Sequence, residues 1–300
     1  MSHDDAPPPK PHASRESAHD YLAPILFAMV SQVREGAGRV VESARRPSKG
    51  APVTLDPEAI HDMRVALRRL RTTLRPARAL YGKKRLRPIE ETLRSLARVA
   101  GAVRDEEVLR EILGGLELAE RPRAELERWL AQRARQERAR RRAVTALLAP
   151  AKQDAPLALA LASLERRVGR RRKDHPTEVF AEKAMLAARR KVEELHGAHT
   201  DEVAAMHELR IACKRVRYTA ELFAPFLGEK GPELEKSSTR LQKLLGKLHD
   251  VDEALLRIGR ARGLSKRGAG EIKKALHHAR KACAHKAKAG LDDERPRLSP

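Results

Sequence analysis

The sequence predicts an all-α protein, built as two pseudo-symmetric helical bundles by internal duplication. Three observations point there. Ala, Leu, Arg, Glu and Lys are abundant, β-branched runs are few, and no stretch alternates apolar and polar residues as a strand would. The segment His61-Asp62-Met63-Arg64-Val65-Ala66-Leu67-Arg68-Arg69-Leu70-Arg71 returns 146 residues later as His207-Glu208-Leu209-Arg210-Ile211-Ala212-Cys213-Lys214-Arg215-Val216-Arg217. A second pair, Leu96 to Asp105 and Leu241 to Asp250, repeats at an offset of 145, one residue less, as a single deletion between the segments would leave it. A duplicated bundle is the economical explanation, with the Pro150–Pro156 stretch as the junction.

The elements follow in order. Residues 1–14 are polar and Pro-rich and are expected as a disordered tail. A helix over 17–46 holds the longest apolar run, Tyr21 to Val30, which Pro24 interrupts and which is too short to cross a membrane. Thr54 or Asp56, with Pro57 and Glu58, starts a helix over 57–81. Gly101 is expected as the left-handed cap ending a helix over 84–100, and Asp105, with Glu106 and Glu107 behind it, as the start of one over 105–119. Helices over 122–149, where Trp129 is a packing anchor, 155–171 and 177–196 come next. Asp201 and Glu202 open a helix over 202–227, and Gly246 and Asp250 repeat the cap-and-start punctuation between 231–247 and 250–261. A last helix covers 265–288, and residues 290–300 are expected as a second disordered tail. The halves are then 15–150 and 151–289.

Composition narrows the partner. The 300 residues include 63 Lys and Arg against 41 Asp and Glu, a formal charge of +22. Such an excess attracts polyanions: nucleic acid, polyphosphate, acidic membrane or acidic protein. One Trp, three Tyr and four Phe are too few for the stacking platforms of single-stranded nucleic-acid binders. A base-free polyanion, or the backbone of a duplex, fits better. Cys213 and Cys283 are isolated and make no disulfide framework, and the N-terminus lacks a signal-peptide profile, so an intracellular, cytoplasmic protein is expected.

The repeated helix has the layout of a site. Ile60, Met63, Leu67, Leu70 and Leu74 form an apolar stripe at spacings of 3 and 4, and His61, Arg64, Arg68, Arg71 and Arg75 recur one residue later. The two stripes lie about 100° apart, so the basic one borders the buried face for ~21 Å. The second copy sets His207, Arg210, Lys214 and Arg217 beside Met206, Leu209, Cys213 and Val216, stopping at Glu221. Like charges at these spacings destabilise a helix by a few tenths of a kcal/mol per pair. A solvated face would mix in acidic residues, so an uninterrupted stripe beside the core indicates a walled groove for a long anion. Arg104 and His249 share one position in the second repeat, as do Arg98 and Lys243, and join the candidates.

Enzyme chemistry finds less support. Glu58-x-x-His61 and Glu193-x-x-His196 have di-iron spacing, but Ala204 stands where Glu58 would repeat, and no bridging glutamates accompany them. There is no GxxxxGK[ST] loop and no serine-nucleophile context. His61-Asp62 and His249-Asp250 leave a metal-dependent phosphohydrolase as a distant alternative. No catalytic residue, metal or cofactor is assigned.

The repeated segments resemble the CHAD family, the conserved histidine α-helical domain. Its hallmark is a His-x-x-Arg-Val-x-x-Arg-Arg-Leu-Arg helix in each half, followed by a Leu-Gly-x-x-Arg-Asp element. His61 to Arg71 and Ala100-Gly101-Ala102-Val103-Arg104-Asp105 match closely; His207 to Arg217 and Leu245-Gly246-Lys247-Leu248-His249-Asp250 match with substitutions. The resemblance spans roughly 15–288 and implies two helical bundles around a basic pore or groove. It also implies binding of inorganic polyphosphate and association with polyphosphate or polyhydroxyalkanoate granules. Carried over by position, the ligands are His61, Arg64, Arg68, Arg69 and Arg71 with His207, Arg210, Lys214, Arg215 and Arg217. Many relatives carry a fused CYTH (triphosphate tunnel) domain, whose Glu-x-Glu-x-Lys signature is missing here. Non-enzymatic polyphosphate binding is therefore expected, with duplex nucleic acid as the alternative, bound more weakly. Affinity is expected to strengthen from pH 8 to 6 as His61 and His207 protonate beside phosphate.

Overall fold

A computed structural model describes residues 16–43, 57–148, 155–170, 175–195, 197 and 199–298. The expected tail at 1–14, the Thr54/Asp56 helix start and most of the 150–156 junction lie outside the described residues. The described chain is helical: α1 (Ala18–Ser43), α2 (Pro57–Tyr81), α3 (Lys83–Gly114), α4 (Glu120–Leu148), α5 (Pro156–Val168), α6 (Thr177–Glu193), α7 (Val203–Leu222), α8 (Lys230–Gly259) and α9 (Lys266–Leu298). A short 3-10 turn, Ala224–Phe226, precedes α8. The repeated segments fall on α2 and α7, then on α3 and α8.

Two expected helix breaks are absent. Gly101 lies inside α3 and Gly246 inside α8, so Asp105 and Asp250 are mid-helix residues and cap nothing. A helical glycine costs roughly 0.5–1 kcal/mol relative to alanine. Here an apolar stripe crosses it without interruption: Leu96, Ala100, Val103, Leu109 and Leu113 on α3, and Leu241, Leu245, Leu248, Val251, Ala254 and Ile258 on α8, all buried. Burying each leucine, valine or isoleucine among them is worth about 1.5–3 kcal/mol, which outweighs one glycine. A turn that does need glycine lies at Gly82, whose φ of 89° reverses the chain between α2 and α3.

The C-terminal tail expected from Gly290 is helical to Leu298, which is fully buried. Buried Glu294 explains its order, accepting from Arg240 at 2.9 Å and Arg297 at 3.1 Å. Asp201 does not cap α7, whose first turn has no side-chain cap; it accepts from Arg280 at 3.3 Å instead.

Three buried clusters hold the helices together. The first joins α1, α2, the start of α3, α5 and the start of α6. The second joins the end of α6, α7, the start of α8 and the C-terminal turns of α9. The third unites Leu109 and Leu113 of α3 and Trp129 of α4 with Ile258 of α8 and Ile272 and Leu276 of α9. Packing is therefore not divided at residue 150: α5, Phe180 and Phe223 belong to the first cluster, and the third is shared. Buried Glu106 of α3 reinforces the shared region, taking Arg140 of α4 and Arg257 of α8 at 2.6 Å each, and Arg133 of α4 at 2.9 Å.

Candidate anion-binding site between α2 and α7

α2 and α7 run past each other with their apolar stripes in separate cores. The basic stripe of each borders its core, so the two stripes meet in the seam. A cavity of about 330 Å³ opens at one end of it. Arg68, Arg71 and Arg75 of α2, Arg94 of α3, and Lys214 and Arg215 of α7 line it. Its one acidic lining residue, Glu90, is taken up by Arg78 in a forked pair at 2.7–3.0 Å. The remaining cations face one another across the space.

Their electrostatics show a site short of negative charge. Burial holds Arg64, Arg71, Arg75, Arg210 and Arg215 below the ordinary arginine range. Neighbouring guanidiniums add to this, Arg94 acting on Arg71, Arg215 on Arg75, and Arg68 on both Arg64 and Arg210, where Asp105 and Asp250 respectively pull the other way more strongly. Lys214 is pushed from 10.5 to about 7, by burial first and then by Arg210, Arg68 and Arg64, against the opposing pull of Asp250. The ε-nitrogens of Arg68, Arg210 and Arg215 are buried without a hydrogen-bond partner among the described residues. An unmade hydrogen bond at a charged, buried donor costs more than the ~1–3 kcal/mol of a neutral one. Three such donors in one seam are an unfilled demand for acceptors.

The opposite end of the seam differs in sign. A smaller cavity, about 230 Å³, is lined by His207, His249, Asp105, Asp250, Glu253 and Arg257. Nδ1 of His207 lies 3.3 Å from Nδ1 of His249, so one ring donates to the other. Burial lowers both, His249 to about 4 with Arg210, His207 and Lys214 adding to the effect, and His207 with help from Arg210 and Lys214. Asp250 is raised by burial despite the same two cations. The seam therefore grades from carboxylates and neutral imidazoles at one end to bare guanidiniums at the other.

The expected residues divide accordingly. Arg68, Arg71, Arg75, Lys214 and Arg215 line the cationic cavity, Arg64 and Arg210 lie between the two ends, and His207 and His249 meet in the second cavity. Others are not brought in. His61 is exposed and lines neither cavity, and Arg69 faces the other side of α2, toward Thr73 and Tyr218 and toward Asp62. Arg98 and Lys243 are exposed on α3 and α8. Arg104 is bound to Glu107 at 3.0 Å, and Arg217 to Glu221 at 2.8 Å while lying over the Tyr218 ring. Sequence reasoning missed Arg78 and Arg94. Arg78 continues the stripe of Arg71 and Arg75 at the same spacing and was findable; Arg94 has Thr239 in its repeat position and left no signal.

Apart from Arg78, the cations lining the larger cavity have no acidic partner among the described residues, and the sequence match defines the family: residues 46–259 match the CHAD domain. The chain belongs to the CHAD family. Its fold is similar to the crystal structure of the CHAD domain from the plant Ricinus communis, with 22% identity, a TM-score of 0.66, and 95% of this chain and 92% of that chain covered. It is also similar to PptA from Streptomyces chartreusis, at 16% identity and a TM-score of 0.56, covering 91% of this chain and 98% of that one. At these identities the likeness shows the fold. A comparison with curated proteins finds no match.

Proposed function

We propose that this protein binds inorganic polyphosphate without turning it over, in the seam between the basic helices of two duplicated halves. The observation that carries the reading is the set of buried, partnerless ε-nitrogens on Arg68, Arg210 and Arg215, beside a cation-lined cavity of about 330 Å³. Phosphate oxygens supply the acceptors these donors lack, and arginine matches them bidentately. A flexible, base-free chain suits a narrow seam without aromatic platforms. CHAD membership supports the same ligand. Each half of this arrangement contributes one basic helix, α2 or α7; the halves are joined through the shared core, with α5 packed on the first and the second reaching Leu298. A cytoplasmic place, at polyphosphate or polyhydroxyalkanoate granules, follows from the ligand.

Competition between polyphosphate and a short DNA duplex of equal charge, at physiological salt, tests the proposal. Polyphosphate is expected to bind far more tightly, with affinity falling steeply as salt rises. Reversing charge at Arg64 and Arg210 together removes that binding. Equal affinity for the two polymers, or full polyphosphate affinity in the Arg64→Glu/Arg210→Glu variant, rejects it. Phosphate release on adding Mg²⁺ or Mn²⁺ would replace the binding reading with a hydrolase.

A further inference from the structure

The change of sign along the seam decides how a phosphate chain can lie in it. At the cationic end, Arg68, Arg71 and Arg75 of α2 line the space together with Lys214 and Arg215 of α7. From Arg68 to Arg75 that lining extends ~10.5 Å along α2 at 1.5 Å per residue. The next cations inward are already countered. Among the charges around Arg64, Asp105 acts most strongly, and around Arg210 it is Asp250. Past them the second cavity presents Asp105, Asp250 and Glu253 beside the apolar side chains of Val108, Leu109 and Ala254. Its one lining cation among the described residues, Arg257, is bound to Glu106 at 2.6 Å. Its imidazoles, His207 and His249, are held neutral by desolvation. A phosphate group there would meet three carboxylates in a partly desolvated pocket, where like charges repel strongly.

We infer that the seam is a socket, stopped at one end by its carboxylates, which takes inorganic polyphosphate by the chain terminus and not along its length. This rests on the polyphosphate reading above and adds to it the part of the polymer that is recognised. An inner phosphoryl unit carries one charge and two free oxygens. The terminal unit offers three free oxygens and, like a phosphomonoester, about −1.5 to −2 charge at pH 7. The innermost cations suit that group. Arg68 of α2 bears on both Arg210 and Lys214 of α7, so the three charges converge from the two helices. Arg68 and Arg210 each keep a buried ε-nitrogen that lacks an acceptor. The units behind the terminus lie among Arg71, Arg75 and Arg215, and the rest of the chain stays in solvent. Holding only a few units also orders little of a flexible polymer.

The test titrates the full chain calorimetrically with linear polyphosphates of two lengths, one several times the other. Binding should saturate at two protein molecules per chain at both lengths, because a linear chain has two equivalent ends. A chain capped at both ends as a phosphoramidate keeps its inner charges and loses a charged oxygen from each terminus. It should bind at least tenfold more weakly, the loss of one charge-assisted hydrogen bond. Asp105→Asn/Asp250→Asn/Glu253→Gln removes the stop at constant side-chain size, and in this variant the preference for uncapped chains should shrink toward none. A protein-to-chain ratio that grows with length overturns the inference, as does equal affinity for capped and uncapped chains, or an undiminished preference in the variant. Polyphosphate binding itself survives each of those results. Failure of the polyphosphate reading would look different, with neither form of the chain bound or a short duplex bound equally well, and would take this inference with it.

Discussion

Lys214 offers the sharpest test of the seam's electrostatics. Its ammonium is held at about 7 instead of 10.5. At about 1.4 kcal/mol per pH unit, keeping it charged in the folded protein costs up to ~5 kcal/mol. The sign is fixed by proton counting. Between pH 7 and 10.5 the unfolded chain holds the proton and the folded one has released it, so stability rises with pH across that window. Below pH 7 both hold it and the full cost is present. Lys214→Met keeps an unbranched stem and removes the charge. At pH 6 the variant should be more stable than the parent by several kcal/mol, a rise of several degrees in Tm. The advantage should shrink toward zero by pH 10, and the variant's polyphosphate affinity should be lower throughout. Urea and thermal unfolding at pH 6, 8 and 10, with a binding titration at each, measure all three. A Lys214→Met protein less stable at pH 6, or one whose advantage is independent of pH, would refute the account of a desolvated, mutually repelling cluster.

Three further outcomes follow from the same geometry. A bound phosphate should restore the Lys214 proton, so polyphosphate affinity should fall about tenfold from pH 6 to 8. Lys214→Arg, which stays charged, should flatten that profile while His207→Ala does not; a flat profile in the unmodified protein would refute this. Glu106→Ala leaves Arg133, Arg140 and Arg257 around a missing charge and should cost about 3–5 kcal/mol in urea unfolding. Gly101→Ala and Gly246→Ala place a methyl group where nothing lies within 4 Å, on continuous helices, and each should stabilise by roughly 0.5–1 kcal/mol in the same assay.

Much of this was legible in the sequence because helix periodicity is local. The apolar stripes of α2 and α7, and the cations one residue behind them, can be read from spacing alone, and both stripes reach the seam. Caps are local only when no tertiary contact competes. Gly101 and Gly246 carry the signature of helix ends, yet the stripes across them are buried against partners distant in the chain, and packing overrides the signal. The histidines failed for a similar reason. Spacing placed His61 and His207 as equivalents, but His61 is exposed, while His207 meets His249 of α8 in a desolvated pocket that keeps both rings neutral. The pH dependence expected of histidine therefore passes to Lys214. The polar end of the sequence hid a helix because its order comes from Glu294 and Leu298 docking on residues far upstream, which composition does not encode.

The shared core beneath the seam fixes how the protein can respond to a ligand. α3 and α8 each begin in one half's interior and end in the common one, like the arms of tongs riveted so that the pivot cannot turn. Widening the slot would expose the rivet's leucines and Trp129 to water. The spacing of the two basic helices is thus set by buried packing and not by whatever enters between them.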